Sequence, residues 1–198
     1  MKNLLTLTIL CFVLFATQNV FAQNVTKEEV EFKKGDVELS LGVGILPTFI
    51  SQNAKLRVLP VSFMLNYRIK QFVSVGAYAG FSSTNGYDVE NIFDEKPTGA
   101  PVLRNDFYIV GGRVEGHFNR EHTDFYGGAM LSYNYSNITT DLKPGDKMPE
   151  NIEIEKDNGG FKYSGYIGLK YMMTKHLGVF GEIGYGASLI NLGLTSKF

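Results

Sequence analysis

Residues 57–82 read RVLPVSFMLNYRIKQFVSVGAYAGFS. Leu59, Val61, Phe63, Leu65 and Tyr67 alternate with Ser62, Met64 and Asn66. After Ile69-Lys70-Gln71, Val73, Val75, Ala77, Ala79 and Phe81 alternate with Ser74, Gly76, Tyr78 and Gly80. A period of two sends alternate side chains to opposite faces of a strand, whereas a helix would scatter the same apolar set around its axis. Two such runs joined by three residues predict an antiparallel hairpin with one apolar face and one small-polar face.

The pattern continues on both sides. Asp36–Leu46, Asn105–Phe118, Thr123–Ser136, Phe161–Met173, Leu177–Gly186 and Asn191–Phe198 alternate in the same way, which with Arg57–Arg68 and Phe72–Ser82 makes eight expected strands. Short connections at 69–71, 119–122 and 174–176 take turns with long ones, and only the last, around 187–190, is short again. That asymmetry marks an outer-membrane barrel, with short periplasmic turns and long external loops. The fold expected is all-β: an eight-stranded, up-and-down, antiparallel transmembrane β-barrel with both termini on the periplasmic side. Pro97, Pro101, Pro144 and Pro149 fall in long loops and Pro47 follows the first strand. Pro60 alone interrupts a run, where it has no ladder donor, so the register there stays open.

Composition fits this reading. The 198 residues are 44% hydrophobic, with 22 Gly, 15 Phe, 11 Tyr and no Trp. Nineteen Lys and Arg against 20 Asp and Glu leave a formal charge of −1, which offers no field for nucleic acid. The single Cys, Cys11, excludes a disulfide framework and any CxxC metal or redox site. No calcium-loop pattern is present, and the Gly-x-Gly pairs at 42–44 and 184–186 lie inside strands without a following helix. His117, His122 and His176 fall beside short turns, so no His–Ser–acid grouping assembles at the outer rim. A non-enzymatic protein without cofactor or metal is expected.

Residues 1–22 read as a secretory signal: Lys2, an apolar run from Leu4 to Ala16, then Val20-Phe21-Ala22 before a cleavage point. Residues 23–35 are polar and are expected to form a mobile periplasmic tail, leaving 36–198 as the barrel.

Alternation alone fits either a membrane barrel or a secreted lipocalin-like barrel with its apolar face inside. The polar face favours the membrane: it is mostly Gly, Ser, Asn and Tyr, as a narrow eight-stranded lumen requires. Aromatic residues cluster at two levels. Tyr133, Tyr135, Phe161, Tyr163 and Tyr185 lie toward the long loops, and Tyr67, Phe118, Phe125, Tyr171 and Phe198 toward the short turns. Two such belts match interfacial girdles. Glu38, Arg68, Arg113, Glu115, Lys162, Lys170, Glu182 and Lys197 fall on the lumen face. Lone charges there would be costly, so a structural salt-bridge network is expected. Strand counting pairs Lys170 diagonally with Glu182, and barrel closure brings Glu38 to Lys197.

From Asp36 onward the chain resembles the small eight-stranded outer-membrane barrels of the OmpX and OmpA transmembrane-domain type. Asn191, Gly193 and Phe198 fit the C-terminal signal of such barrels, while Ser196 stands where an apolar residue is usual. The resemblance implies an integral protein of a Gram-negative outer membrane. Its partners would be membrane lipid, lipopolysaccharide and the barrel-assembly machinery. It also implies a structural or surface-interaction role through the long loops 83–103 and 137–160. Both loops are acidic: Asp88, Glu90, Asp94 and Glu95 face Lys96 in one, and Asp141, Asp146, Glu150, Glu153, Glu155 and Asp157 face Lys143, Lys147 and Lys156 in the other. The alternative is a narrow OmpW-like channel for small apolar solutes, with Phe107, Ile109 and Met130 facing inward.

Overall fold

Strands form where the alternation predicts them. The computed structural model describes residues 30–48, 55–85, 102–141 and 159–198. The expected signal segment 1–22, residues 23–29 and most of both acidic loops lie outside the described residues. The strands are β1 (Val37–Gly44), β2 (Lys55–Lys70), β3 (Val73–Asn85), β4 (Val102–Arg120), β5 (Thr123–Asp141), β6 (Gly160–Met172), β7 (Leu177–Gly184) and β8 (Ile190–Lys197). Each pairs antiparallel with its successor, and β8 returns to β1 to close the barrel. The seam is completed by a reciprocal pair: Val37 N–H donates to Phe198 O at 3.0 Å, and Phe198 N–H to Val37 O at 2.9 Å. Closure leaves no open edge around the cylinder, so every ladder group in the band can be satisfied without water.

The apolar face points outward. Phe63, Val110, Leu131, Ile167 and Ile183 are all exposed, while Ser40, Asn66, Arg68, Glu115 and Lys170 are buried inside. A lipocalin-like barrel would show the reverse, so the exterior is a lipid-facing surface. Between the belts, β4 runs from Tyr108 to Phe118 and β5 from Phe125 to Tyr135. Each span is close to the roughly 9–11 residues that a tilted strand needs to cross a bilayer.

Three features depart from expectation. First, β4 and β5 run farther than their alternation extends, pairing from Val102↔Asp141 down to Arg120↔Thr123. Their outer ends carry Arg104, Asn105, Asp106, Asn137 and Thr139, polar on both faces, so period two cannot announce them. Second, Pro60 falls inside the Val58/Val61 register shift, next to another at Leu56/Val58, so its missing donor breaks no regular ladder pair. Third, the segment before β1 is not free along its whole length. Val30 and Phe32 are buried with Met172 at the mouth on the short-turn side. The expectation of a mobile tail therefore fails for residues 30–35: an aromatic side chain in contact with the open barrel end removes apolar surface from water.

Candidate functional site: the filled lumen and the projecting wall

The lumen is packed in layers. Toward the outer end, Met64, Tyr78, Phe107, Ile109, Met130 and Ala187 join Tyr126, Tyr166 and Phe180 in one buried cluster. The inward glycines exist for this packing. A Cβ on Gly168 would fall on the Tyr126 ring, and one on Gly184 would meet Tyr166. The space left near Tyr78, Met130 and Ser188 is about 10 Å³. Phe107, Ile109 and Met130 do face inward, but they fill the upper lumen instead of lining a pocket.

Below this cluster, inward positions of six strands bring opposite charges together. Arg113 Nη2 lies 2.7 Å from Glu115 and 2.6 Å from Glu182, and its guanidinium stacks 4.0 Å above the Tyr166 ring centre. Arg68 Nη2 contacts Glu38 and Asp124, each at 2.8 Å. Lys170 Nζ donates to Glu38 at 2.5 Å, stands 3.9 Å from Glu115 and lies 4.4 Å over Tyr126. Asn66 donates to both Glu115 oxygens. His117, with its side chain fully buried, joins the two halves: Nδ1 is 2.9 Å from Asp124 and Nε2 is 2.8 Å from Ser74 Oγ. Around these contacts, four carboxylates (Glu38, Glu115, Asp124, Glu182) face three cations (Arg68, Arg113, Lys170), with the His117 ring between Ser74 and Asp124. Within so narrow a lumen each charge needs such partners, because an ion without one would be strongly disfavoured.

The structure thus brings together Glu38, Arg68, Arg113, Glu115, Lys170 and Glu182, but with different partners from those counted along the strands. Lys170 does stand opposite Phe180, yet it reaches Glu38 across the lumen, and Glu182 is taken by Arg113. In a barrel this narrow, long side chains cross to the far wall, and cross-lumen distance outranks ladder adjacency. Glu38 and Lys197 are ladder neighbours. Lys197 nevertheless turns down toward the mouth, to Asp36 at 3.5 Å and the Glu31 carbonyl. There Phe32 lies between two cations, with Arg68 at 5.1 Å and Lys197 at 4.9 Å from its ring centre. Lys162 is exposed and stands outside the network.

Asp124, Ser74 and Tyr126 complete a site that the charge count alone misses. Extending the inward parity of β5 two residues back from Tyr126 reaches Asp124, so the signal was present. Ser74–His117–Asp124 has the hydrogen-bond order of a nucleophile triad, but Ser74 is buried and its Oγ also lies 3.1 Å from Glu115 Oε2. A substrate carbonyl has no approach to it.

Of the C-terminal residues, Asn191 points inward and donates to Ser62 at 2.7 Å. A Cβ on Gly193 would strike the Leu41 carbonyl and the Phe180 ring, whereas Phe198 is exposed at the seam.

Above the outer belt the wall is uneven. Beyond Tyr108↔Tyr135, six further pairs join β4 and β5, from Phe107↔Ser136 to Val102↔Asp141. At about 3.3 Å per residue this projection measures roughly 20 Å along the strands. β3 accompanies it to Asn85↔Arg104. β6 begins only at Gly160↔Asn134, so β5 from Tyr135 to Asp141 has no partner on that side among the described strands. Polar side chains hold the projection: Ser83 Oγ donates to Asp106 at 2.6 Å, Arg104 Nη2 lies 2.8 Å from Asp106, and Ser136 Oγ donates to Asn105 at 2.6 Å.

A closed eight-stranded barrel, apolar outside and plugged by its own side chains, defines a small transmembrane barrel of the outer-membrane type. Comparison with known structures gives the same class. The chain is similar to the outer-membrane protein OprG of Pseudomonas aeruginosa, with a TM-score of 0.53, 12% identity, and coverage of 86% of this chain and 99% of that one. The N-terminal β-barrel domain of Pseudomonas aeruginosa OprF aligns at a TM-score of 0.45 and 16% identity over 84% of this chain and 99% of that one. Ail, the attachment invasion locus protein of Yersinia pestis, aligns at 0.48 and 10% over 83% and 99%. No protein-family model matches the sequence, and no curated protein sequence does either.

Proposed function

We propose that the protein is a non-enzymatic barrel of a Gram-negative outer membrane that works from its external end, presenting a rigid wall and acidic loops to a surface partner. The observation that carries this reading is the β4–β5 projection. Six paired rungs above the belt are more than anchorage requires, and they support the loops that join β3 to β4 and β5 to β6. The exposed β5 border and the Asp and Glu of 86–101 and 142–158 are the groups a partner would meet, with lipopolysaccharide bridged by divalent ions beside them. In the same reading the lumen network serves stability, and Phe198, with the last strand, is what the barrel-assembly machinery engages during insertion.

The test compares cells carrying the full barrel with cells in which 86–101 and 142–158 are replaced by short Gly-Ser turns, both forms being checked for heat-modifiable gel migration. Adhesion of the cells to immobilised polysaccharide and matrix protein is expected to fall with the loops removed, while uptake of a labelled apolar solute into proteoliposomes stays at the protein-free level. Solute uptake that survives loop removal, with no change in adhesion, would refute the surface role and favour the narrow channel.

A further inference from the structure

The outer face carries its own recess. Phe72, Gly116, Phe118, Phe125, Gly127, Ile167 and neighbouring residues of β7 and β8 line an apolar groove of about 880 Å³. Its floor is glycine, and this glycine is unlike that of the lumen. A Cβ on Gly116 would meet only the Gly127 carbonyl, at 3.9 Å, and one on Gly127 nothing nearer than 3.5 Å. Gly112 and Gly165 beside them are equally open. Glycine weakens a strand interior, and here no packing demands it. Gly116 and Gly127 face one another across β4 and β5, so the missing side chains leave one continuous hollow between the Phe118–Phe125 pair and Ile167.

The hollow has a direction. Its paired row runs Gly116, Gly127, Ile167, Ile183, Ile190. The first two lie two residues from the periplasmic belt at Phe118 and Phe125, Ile167 four from Tyr171, and Ile190 eight from Phe198. The groove therefore starts at the short-turn interface beside Phe118 and Phe125 and runs over four interstrand steps, about 19 Å, toward the outer ends of β7 and β8. At its lower end the β2–β3 and β4–β5 turns touch, Asn119 Nδ2 donating to Gln71 O at 3.1 Å. Lys70 and Arg120 flank that contact, both exposed, with Glu121 the carboxylate of the same turns.

We infer that this groove is a binding site for one phospholipid of the periplasmic leaflet, its acyl chain lying over Gly116 and Gly127 and its phosphate held by Lys70 and Arg120. The cations stand at headgroup depth, where Lys and Arg attract anionic groups. Bulk lipid touches every outward face of the barrel, and here the wall recedes over Gly116 and Gly127.

The experiment measures co-purified phospholipid by native mass spectrometry and by organic phosphorus after exchange into a phosphorus-free detergent. The wild-type barrel is expected to keep about one phospholipid. Gly116→Leu/Gly127→Leu, which fills the hollow where a Cβ has room, takes away the seat of at least two methylenes and should retain roughly tenfold less. Lys70→Gln/Arg120→Gln should lose the same lipid with the groove intact. No bound phospholipid in the wild type overturns the inference, as does equal retention in wild type and G116L/G127L. A wild-type dimer that dissociates in G116L/G127L also overturns it, since a second copy would then be the occupant.

Discussion

Replacing Glu38 by leucine should strand Lys170. Its Nζ donates to Glu38 at 2.5 Å, and the next carboxylate, Glu115, is 3.9 Å away and already engaged by Arg113 at 2.7 Å. Arg68 is less affected, because it keeps Asp124 at 2.8 Å. Removing one member of a buried pair costs about 3–5 kcal/mol, since the other charge stays buried without compensation. With an unfolding slope of about 3 kcal/mol per molar urea, the midpoint should fall by roughly 1–1.7 M. Glu38→Leu/Lys170→Met deletes both charges and keeps apolar volume. Buried pairs replaced as a unit are close to neutral, so the double variant should recover to within about 0.5 M of wild type. Folded and unfolded barrels migrate differently in unboiled gels, so the folded fraction can be read against urea concentration for all three proteins. If the double variant unfolds at or below the urea concentration of Glu38→Leu, the two residues are independent and the cross-lumen pairing is refuted.

Two further outcomes follow from packing. Gly168→Ala drives a methyl into the Tyr126 ring and should abolish heat-modifiable migration, while Gly112→Ala, whose Cβ meets only the Gly76 carbonyl at 4.0 Å, should leave it unchanged. Phe32→Ala removes the aromatic held between Arg68 and Lys197 and should cost about 3–5 kcal/mol in the same urea titration, the usual range for a buried phenylalanine; an unchanged midpoint would show that residues 30–35 do not plug the mouth.

Local chemistry sufficed for the architecture. Period two assigned each residue of the band to lipid or lumen, turn lengths assigned the two ends, and eight runs implied closure, because each strand interacts mainly with the neighbours that follow from chain order. The same logic placed Glu38, Arg68, Arg113, Glu115, Lys170 and Glu182 inside. It stopped at the partners, since a cross-lumen contact can join residues 132 positions apart, as Lys170 and Glu38 are, and depends on curvature and side-chain reach that no ladder count contains. The projection of β4 and β5 also escaped, because above the membrane neither face must be apolar and the alternation disappears. Phe32 escaped for a related reason: one aromatic in a polar segment has no period. The lipid-face groove shows the division most plainly. Sequence supplies Gly116 and Gly127 as two more glycines among 22. Only the closed barrel shows that inward glycines such as Gly168 and Gly184 are crowded by tyrosine rings, whereas these two, on the outer face, open onto a hollow in the membrane.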